Sequence, residues 1–242
     1  MKFKQKVFLL VMIVVVDLIL FGMAIRIWRG RTEMGIAGQS VWSEHSVSEI
    51  NEEQGYNVTK YVALTFDDGP NARYTEPLLE GLRKRGIRTS FFLVGECIDG
   101  KEELVKQMAE DGHLIGVHCM THKDLTKESP EEAKKELEET REKIRAVTGI
   151  RSEYVRPPYG RWSGSLDEIV DMIPVFWDVD SIDWRLKNTE KVTAKVVKDT
   201  KDGDIILMHD EFKTSVEAAL RIIDNLTAKG YTFVTVDELM VD

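Results

Sequence analysis

Five short polar motifs in this chain each follow an apolar run that is typical of a β-strand. Because the carboxyl ends of parallel strands meet on one face of a β/α barrel, side chains that are distant in sequence would become neighbours there. Together the motifs supply paired aspartates, three histidines and an arginine, which are the residue types of a metal-assisted hydrolase. The motifs are TFDDGP at 65–70, HCMTH at 118–122, RPPYG at 156–160, DSIDW at 180–184 and LMHD at 207–210.

The first motif contains an adjacent pair of carboxylates, Asp67 and Asp68. In such a pair one carboxylate can bind a cation while the other accepts a proton from water. Because Gly69 and Pro70 follow, the same four residues would also suit an ordinary acidic turn. The pair alone therefore does not establish a catalytic site.

The second motif places His118 and His122 four residues apart after a predicted strand. Two histidines at this spacing can reach one metal ion from a tight loop or a helical turn, although two surface histidines would give the same pattern. With an aspartate from another strand end they would form a 2-His-1-carboxylate set, which leaves coordination positions for water and substrate.

Arg156 and His209 are two further residues whose side chains could take part in the reaction. Arg156 opens a stiff segment, because two prolines after it fix φ, and a stiff loop can hold a backbone N–H where an oxyanion develops. Arg156 could pair with a carboxylate base or form an ordinary salt bridge. A lone histidine such as His209 is often structural, yet it would be the third of the chain's five histidines in one predicted site.

Strand-like and helix-like segments alternate from residue 60 onward, which predicts a parallel sheet covered by helices. Seven predicted strands in a chain of 242 residues favour a small or distorted barrel over an open sheet. The predicted strands are 61–66, 89–94, 114–117, 154–156, 174–177, 204–208 and 232–236, and the predicted helices are 75–85, 101–111, 130–147, 189–200 and 214–229.

The predicted helix over 130–147 has the clearest boundaries. Ser129 can cap it, Pro130 suits its first position, Glu132 completes a capping box, and Gly149 follows its end. Its many glutamates, lysines and arginines are interpreted as a solvated face with i,i+4 ion pairs rather than as a binding patch.

The N-terminus predicts a membrane segment. Basic residues precede an apolar run over 7–25, which is long enough to span a bilayer. Asp17 would cost about 2.5–3.5 kcal/mol there, and the surrounding aliphatic and aromatic residues outweigh that cost. Small residues at 22–24 leave a cleaved signal peptide as the alternative.

These patterns divide the chain into a signal anchor or signal peptide over 1–27, a polar linker over 28–57 and a catalytic domain over 58–242. We expect the domain outside the cytoplasm, held by the membrane helix or secreted if the segment is cleaved. The net charge of -9 argues against a nucleic-acid partner.

In order and spacing, the five motifs resemble those of the polysaccharide deacetylases of carbohydrate esterase family 4, which share the NodB homology domain. The resemblance covers about residues 62–239. It implies a distorted (β/α)7 barrel, a monomeric catalytic domain, and hydrolysis of N-acetyl or sometimes O-acetyl groups on an acetylated polysaccharide. It also implies a divalent metal, with Zn²⁺ expected first and Co²⁺ or another first-row ion as the alternative.

The same resemblance implies a role for each motif residue. Asp67 would be the general base, held in place by Arg156. The metal ligands would be Asp68, His118 and His122.

On the other side of the expected site, His209 would be the general acid, tuned by Asp183. A buried carboxylate beside it would favour the imidazolium form that a proton donor needs. The backbone N–H of Tyr159 would stabilise the oxyanion, and Trp184 and Leu207 would line the pocket for the acetyl methyl group.

Three residues around the histidine motif depart from the family pattern. Cys119 stands where Ser or Thr is usual, Lys123 where Pro often follows, and Val117 where Asn is common. Changes around metal ligands can cost about 10–100-fold in metal affinity or activity. Cys119 could join the metal, stay an inert buried thiol, or pair with Cys97 if their strands are neighbours.

The leading functional hypothesis is hydrolysis of N-acetyl groups from a cell-wall polysaccharide, with peptidoglycan N-acetylglucosamine as the first substrate. N-acetylmuramic acid, chitooligomers, an exopolysaccharide and acetylxylan stay open as substrates. A two-carboxylate glycosidase fits less well, because it does not require the histidine pair. A catalytically impaired glycan-binding module is the alternative from another class, and the intact Asp67 and His209 argue against it.

Overall fold

The computed structural model describes residues 59–240. Its strands form one parallel sheet, as the alternating pattern predicts. The strands are β1 (Lys60–Asp67), β2 (Ser90–Leu93), β3 (Leu114–Val117), β4 (Tyr154–Val155), β5 (Ile173–Pro174), β6 (Val179–Asp180), β7 (Ile205–His209) and β8 (Tyr231–Val234).

The longer helices agree with their predicted positions to within a residue or two, whereas the short ones were missed because four or five residues carry little periodicity. The helices are α1 (Thr75–Arg85), α2 (Gly95–Ile98), α3 (Glu102–Glu110), α4 (Pro130–Thr148), α5 (Gly164–Asp167), α6 (Asp183–Leu186), α7 (Thr189–Asp199), α8 (Lys213–Ala228) and α9 (Val236–Met240).

The sheet curls into an open half-barrel rather than closing into the predicted (β/α)7 barrel. Its strands follow the order β5-β4-β3-β2-β1-β7-β6, with β8 beside β1. Within the described residues the outermost strands, β5 and β6, do not pair with each other. Both are only two residues long, so they offer few backbone groups with which to close a ladder.

Strand β1 lies at the centre of the sheet and fixes the position of the site. It pairs with β8 near its start and with β7 and β2 near its end. Side chains alternate along a strand, so Val62, Leu64 and Phe66 pack into the main core on one side. Thr65 and Asp67 lie on the opposite side, which faces the interior of the half-barrel.

Helix α4 begins and ends where its capping residues predict. The Ser129 hydroxyl accepts a hydrogen bond from the backbone N–H of Glu132, and Gly149 ends the helix with φ 76°. Its charges are not all solvated, however, because Glu136 and Arg141 are 6% and 3% exposed. The interpretation of this helix as carrying only a solvated charged face is therefore wrong at two positions.

No helix among residues 59–240 is long and apolar enough to cross a membrane. The anchor predicted over 1–27 and the linker predicted over 28–57 lie outside the described residues.

Candidate active site

The site forms where the ends of four strands meet. Asp67 ends β1 directly opposite His209 at the end of β7. His118 follows β3, and Arg156 follows β4, the next strand in the sheet. Register alone therefore brings together residues from four of the five motifs, because neighbouring strands are only about 4.8 Å apart.

Asp68, His118 and His122 form a compact donor set. Asp68 Oδ1 lies 3.3 Å from His118 Nε2 and 3.4 Å from His122 Nε2. One ligand atom from each residue lies within 4.8 Å of the other two. Asp68 Oδ1 is buried and has no hydrogen-bond partner within the described residues. An unpartnered carboxylate oxygen that faces two imidazole nitrogens fits a divalent cation.

Hydrogen bonds and nearby charges fix the protonation of this set. The His118 ring lies with Nδ1 2.6 Å from the Arg156 carbonyl oxygen. Because that oxygen can only accept, Nδ1 carries a proton and Nε2 is the nitrogen that faces Asp68. Burial lowers the pKa of His118, but Asp67 and Asp68 outweigh burial and raise the pKa, so a cation at this site would take the place of the Nε2 proton. Burial raises the pKa of Asp68, but the neighbouring histidines outweigh it and lower the pKa to about 2. Burial also lowers the pKa of His122, which favours the neutral imidazole.

Asp67 is held by a buried arginine. The Arg156 side chain is fully buried, and its Nη1 donates to Asp67 Oδ1 at 2.9 Å and to Thr65 Oγ1 at 2.5 Å. The guanidinium also lies 4.2 Å from the centre of the Phe92 ring. Asp67 Oδ2 lies 3.8 Å from His118 Nε2. One carboxylate oxygen is thus fixed by Arg156, and the other is directed toward the donor set.

Replacing Arg156 with Met is expected to lower the free energy of unfolding by about 3–5 kcal/mol, because it leaves the buried Asp67 carboxylate without its charged partner. Denaturant unfolding of the metal-free protein measures this loss. Arg161→Met is the matched control, since Arg161 is 56% exposed in its pair with Asp124 and should contribute far less. Equal losses in the two variants would contradict the assignment.

His209 is oriented by Asp183. His209 Nδ1 lies 2.8 Å from Asp183 Oδ1, and the backbone N–H of His209 donates to Asp183 Oδ2 at 2.9 Å. Burial lowers the pKa of His209, but the carboxylates around it, Asp183 first, outweigh burial and raise the pKa to about 9. His209 is therefore an imidazolium at neutral pH, with Nε2 directed into the site 3.8 Å from Asp68 Oδ2.

Comparison with known proteins agrees with this geometry. The sequence model of the family described as polysaccharide deacetylase matches residues 54–174. The chain belongs to this family.

Two curated relatives of this chain are named as peptidoglycan deacetylases. The peptidoglycan-N-acetylmuramic acid deacetylase PdaC of Bacillus subtilis is 36% identical over 81% of this chain, and the match covers 42% of PdaC. The peptidoglycan-N-acetylglucosamine deacetylase PgdA of Listeria monocytogenes is 37% identical over 79% of this chain and 41% of PgdA. The chain thus spans about two fifths of the length of these relatives.

The solved structure of PdaC from Bacillus subtilis superposes on the deacetylase domain with a TM-score of 0.73. It is 38% identical and covers 76% of this chain and 91% of that chain. The two chains are therefore similar both in fold and in sequence.

A cavity of about 470 Å³ opens beside the donor set of the deacetylase domain. Tyr159, Trp184 and Leu207 all line it, with Tyr159 62% and Trp184 50% exposed. The Tyr159 ring also packs edge-on against His122, with the ring centres 4.8 Å apart. Tyr159 and Trp184 therefore present apolar surface to solvent beside the donor set.

Two further residues, one lining the cavity and one next to His209 in the chain, were not assigned a role from the sequence. Trp177, which follows β5, lines the cavity. Its place at the end of a predicted strand was the feature of the sequence that could have identified it as a site residue.

Asp210 is fully buried and accepts a hydrogen bond from the Thr75 hydroxyl. Burial raises the pKa of Asp210 to about 7. A Cβ atom at Gly69 would lie 2.8 Å from Asp210 Oδ1, so only glycine fits there.

Both cysteines of the deacetylase domain are free, so the disulfide considered from the sequence does not form. Cys119 is buried and directs Sγ toward Glu136 Oε2 at 3.5 Å. Burial, with Glu136 beside it, raises the pKa of Cys119 to about 12. Cys119 is therefore a protonated thiol, and the donor set consists of Asp68 and the two histidines without it.

Proposed function

We propose that this chain is a metal-dependent hydrolase that removes N-acetyl groups from peptidoglycan, with N-acetylglucosamine as the substrate sugar. The observation that carries the proposal is the convergence of the Asp68–His118–His122 donor set with Asp67 and His209 on one cavity. The family membership and the two peptidoglycan-deacetylating relatives support the reaction class.

In this proposal, Asp68, His118 and His122 would hold Zn²⁺. The bound ion would supply a Lewis acid for the acetyl carbonyl and would bring the pKa of water toward about 7. Asp67 accepts a proton from the attacking water through Oδ2, because Arg156 occupies Oδ1. The backbone N–H of Tyr159 donates to the oxygen on which negative charge develops.

His209 completes the reaction as the proton donor. As the bond between the acetyl carbon and the sugar nitrogen breaks, the protonated Nε2 gives its proton to the leaving amine. Asp183 keeps Nδ1 protonated and stabilises the imidazolium. The products are acetate and a free amino sugar. Trp184 and Leu207 provide apolar contacts for the acetyl methyl group.

The choice of sugar rests on the relatives and not on the charge of the cavity. Asp67, Asp68 and Asp180 line the cavity, but the His209 imidazolium and a bound Zn²⁺ would offset their negative charge. N-acetylglucosamine is the sugar named for the Listeria monocytogenes relative. N-acetylmuramic acid is the second candidate, because the Bacillus subtilis relative is named for that sugar.

The proposal is tested by incubating the full-length chain with Zn²⁺ and purified peptidoglycan, measuring acetate, and mapping the free amines on the released disaccharides. We expect acetate release with amines on glucosamine. Amines on muramic acid would replace the proposed sugar with the second candidate. No acetate from peptidoglycan or chitooligomers would favour the impaired glycan-binding module.

The pH dependence of kcat/KM should report the His209–Asp183 pair. A proton donor is active below its pKa and inactive above it, so the rate should fall on the alkaline side as His209 loses its proton. Asp183→Asn removes the carboxylate that raises this pKa, so the alkaline limb should move to lower pH. An alkaline limb at the same pH in both proteins would remove His209 from the acid role.

We further propose that residues 1–27 anchor the domain to the membrane through a linker over 28–57, with 58–242 outside the cytoplasm. The sequence pattern at the N-terminus and the cell-wall substrates named for the relatives support this placement. Membrane fractionation combined with N-terminal sequencing of the mature protein separates an anchored chain from a cleaved one.

A further inference from the structure

The loop that carries the two histidines has a backbone that needs support from its surroundings. Cys119 and His122 have φ values of 71° and 54°, in the left-handed region that side-chain-bearing residues seldom adopt. Such a conformation is strained and persists only where neighbouring groups fix it. The contacts of this loop therefore bear directly on where the histidine nitrogens point.

One buried carboxylate on α4 meets the loop along most of its length. Glu136, which is 6% exposed, accepts the backbone N–H of Thr121 at 2.9 Å and the Thr121 hydroxyl at 3.0 Å. Cys119 Sγ lies 3.5 Å from its Oε2, and Lys123 Nζ lies 3.1 Å from its Oε1. Four donors from three loop residues thus converge on a single side chain.

Backbone groups of α2 also hold the loop. The Gly95 N–H donates to the Cys119 carbonyl at 2.9 Å, and the Glu96 N–H donates to the Met120 carbonyl at 3.0 Å. The loop is thus fixed both by these amides and by Glu136. From α4, the Glu136 side chain contacts Cys119 and Thr121 between the two histidines, and it also contacts Lys123, the residue that follows His122.

The contacts involve two of the three residues that depart from the family pattern. Cys119 and Lys123 both turn toward Glu136, one as a neutral thiol donor and the other as an ammonium partner. A thiol is a weaker donor than the usual hydroxyl. The ammonium at 123, where proline would carry no donor, adds a charge-assisted contact to the same carboxylate.

We propose that Glu136 is a positioning residue for the metal site, and that its carboxylate holds the 118–122 loop so that His118 Nε2 and His122 Nε2 both face Asp68 Oδ1. This inference rests on the proposed function in taking those histidines as metal ligands. Glu136 itself contacts the loop and not the ligand atoms, so its effect is on metal affinity and geometry.

The decisive variant is Glu136→Gln, which keeps the size of the side chain. It removes the charge and replaces one acceptor with an NH₂ group that would face the donors of Thr121 or Lys123. Loss of such supporting contacts typically weakens metal binding about 10–100-fold, and we expect a change in that range. Glu139→Gln on the exposed side of the same helix is the matched control and should bind Zn²⁺ like the wild type.

The experiment measures the Zn²⁺ dissociation constant of each full-length protein by competition with a chromophoric chelator, and the absorption spectrum of its Co²⁺ form. Circular dichroism establishes that each variant is folded at the temperature used. We expect a weaker constant and an altered Co²⁺ spectrum for Glu136→Gln alone. Indistinguishable constants and spectra for the two glutamine variants would overturn the inference.

Two further variants keep the inference testable if Glu136→Gln does not fold. Lys123→Gln replaces the ammonium partner of Glu136 with a neutral amide and should weaken Zn²⁺ binding in the same direction. Cys119→Ser supplies a better donor and should bind at least as tightly as the wild type. Unchanged binding in Lys123→Gln, or a tenfold loss in Cys119→Ser, would overturn the inference. Failure of the wild type to bind Zn²⁺ would contradict the proposed function as well, which separates the two failures.

Discussion

Asp68→Asn is expected to abolish tight Zn²⁺ binding and to lower kcat/KM for acetate release by roughly a thousandfold. A metal ion contributes several kcal/mol of charge stabilisation in the transition state, and each 1.36 kcal/mol corresponds to about a tenfold change in rate. Asp68 supplies the only carboxylate of the donor set within the described residues, and it faces both histidines through one oxygen.

The choice of asparagine makes this test specific. It keeps the shape of the side chain at a position where φ is 71°, and it removes only the charge and one acceptor. Asp199→Asn, at an exposed position at the end of α7, is the matched control and should retain wild-type binding and activity. If Asp68→Asn bound Zn²⁺ and released acetate like this control, the donor set would be wrongly assigned.

Asp67→Asn is expected to lower kcat by about 10²–10⁴-fold, the usual contribution of a general base. Its Zn²⁺ affinity should remain close to that of the wild type, because Asp67 lies outside the donor set. A variant that loses turnover but still binds Zn²⁺ has lost a general base and not a metal ligand. Single-turnover acetate release and Zn²⁺ titration of the same preparation measure the two properties. A parallel loss of Zn²⁺ affinity would instead make Asp67 a ligand.

The elements that bring the site together were predictable because they rest on local patterns. Strands were recognised from apolar runs, and α4 was recognised from its caps at Ser129 and Gly149. Because the carboxyl ends of parallel strands lie at one edge of the sheet, Asp67 and His209 were expected at that edge. They lie directly opposite each other because β7 pairs with β1.

The openness of the barrel was missed because β6 was not recognised as a strand. It has only two residues, Val179 and Asp180, which is too short for a period of two to be visible. Only four residues separate β5 from β6, whereas adjacent parallel strands need a crossover of about a dozen residues or more. The two strands therefore do not pair, and the described sheet stays open.

The support of the histidine loop was also beyond sequence reasoning. Glu136 lies on a helix rich in charged residues, where i,i+4 spacing suggests surface ion pairs. Only the packing of α4 against β3 reveals that this one glutamate is buried against the loop at 118–122. The unusual residues Cys119 and Lys123 were visible in the sequence, but their common partner was not.

The most direct test of metal-dependent deacetylation is acetate release from purified peptidoglycan by one preparation of the full-length chain in three states. The protein is assayed as purified, after removal of metal by a chelator and dialysis, and after addition of Zn²⁺. We predict release in the first state, none in the second and recovery in the third. Undiminished release from protein verified to be metal-free, or no release in any state, would contradict the proposed function.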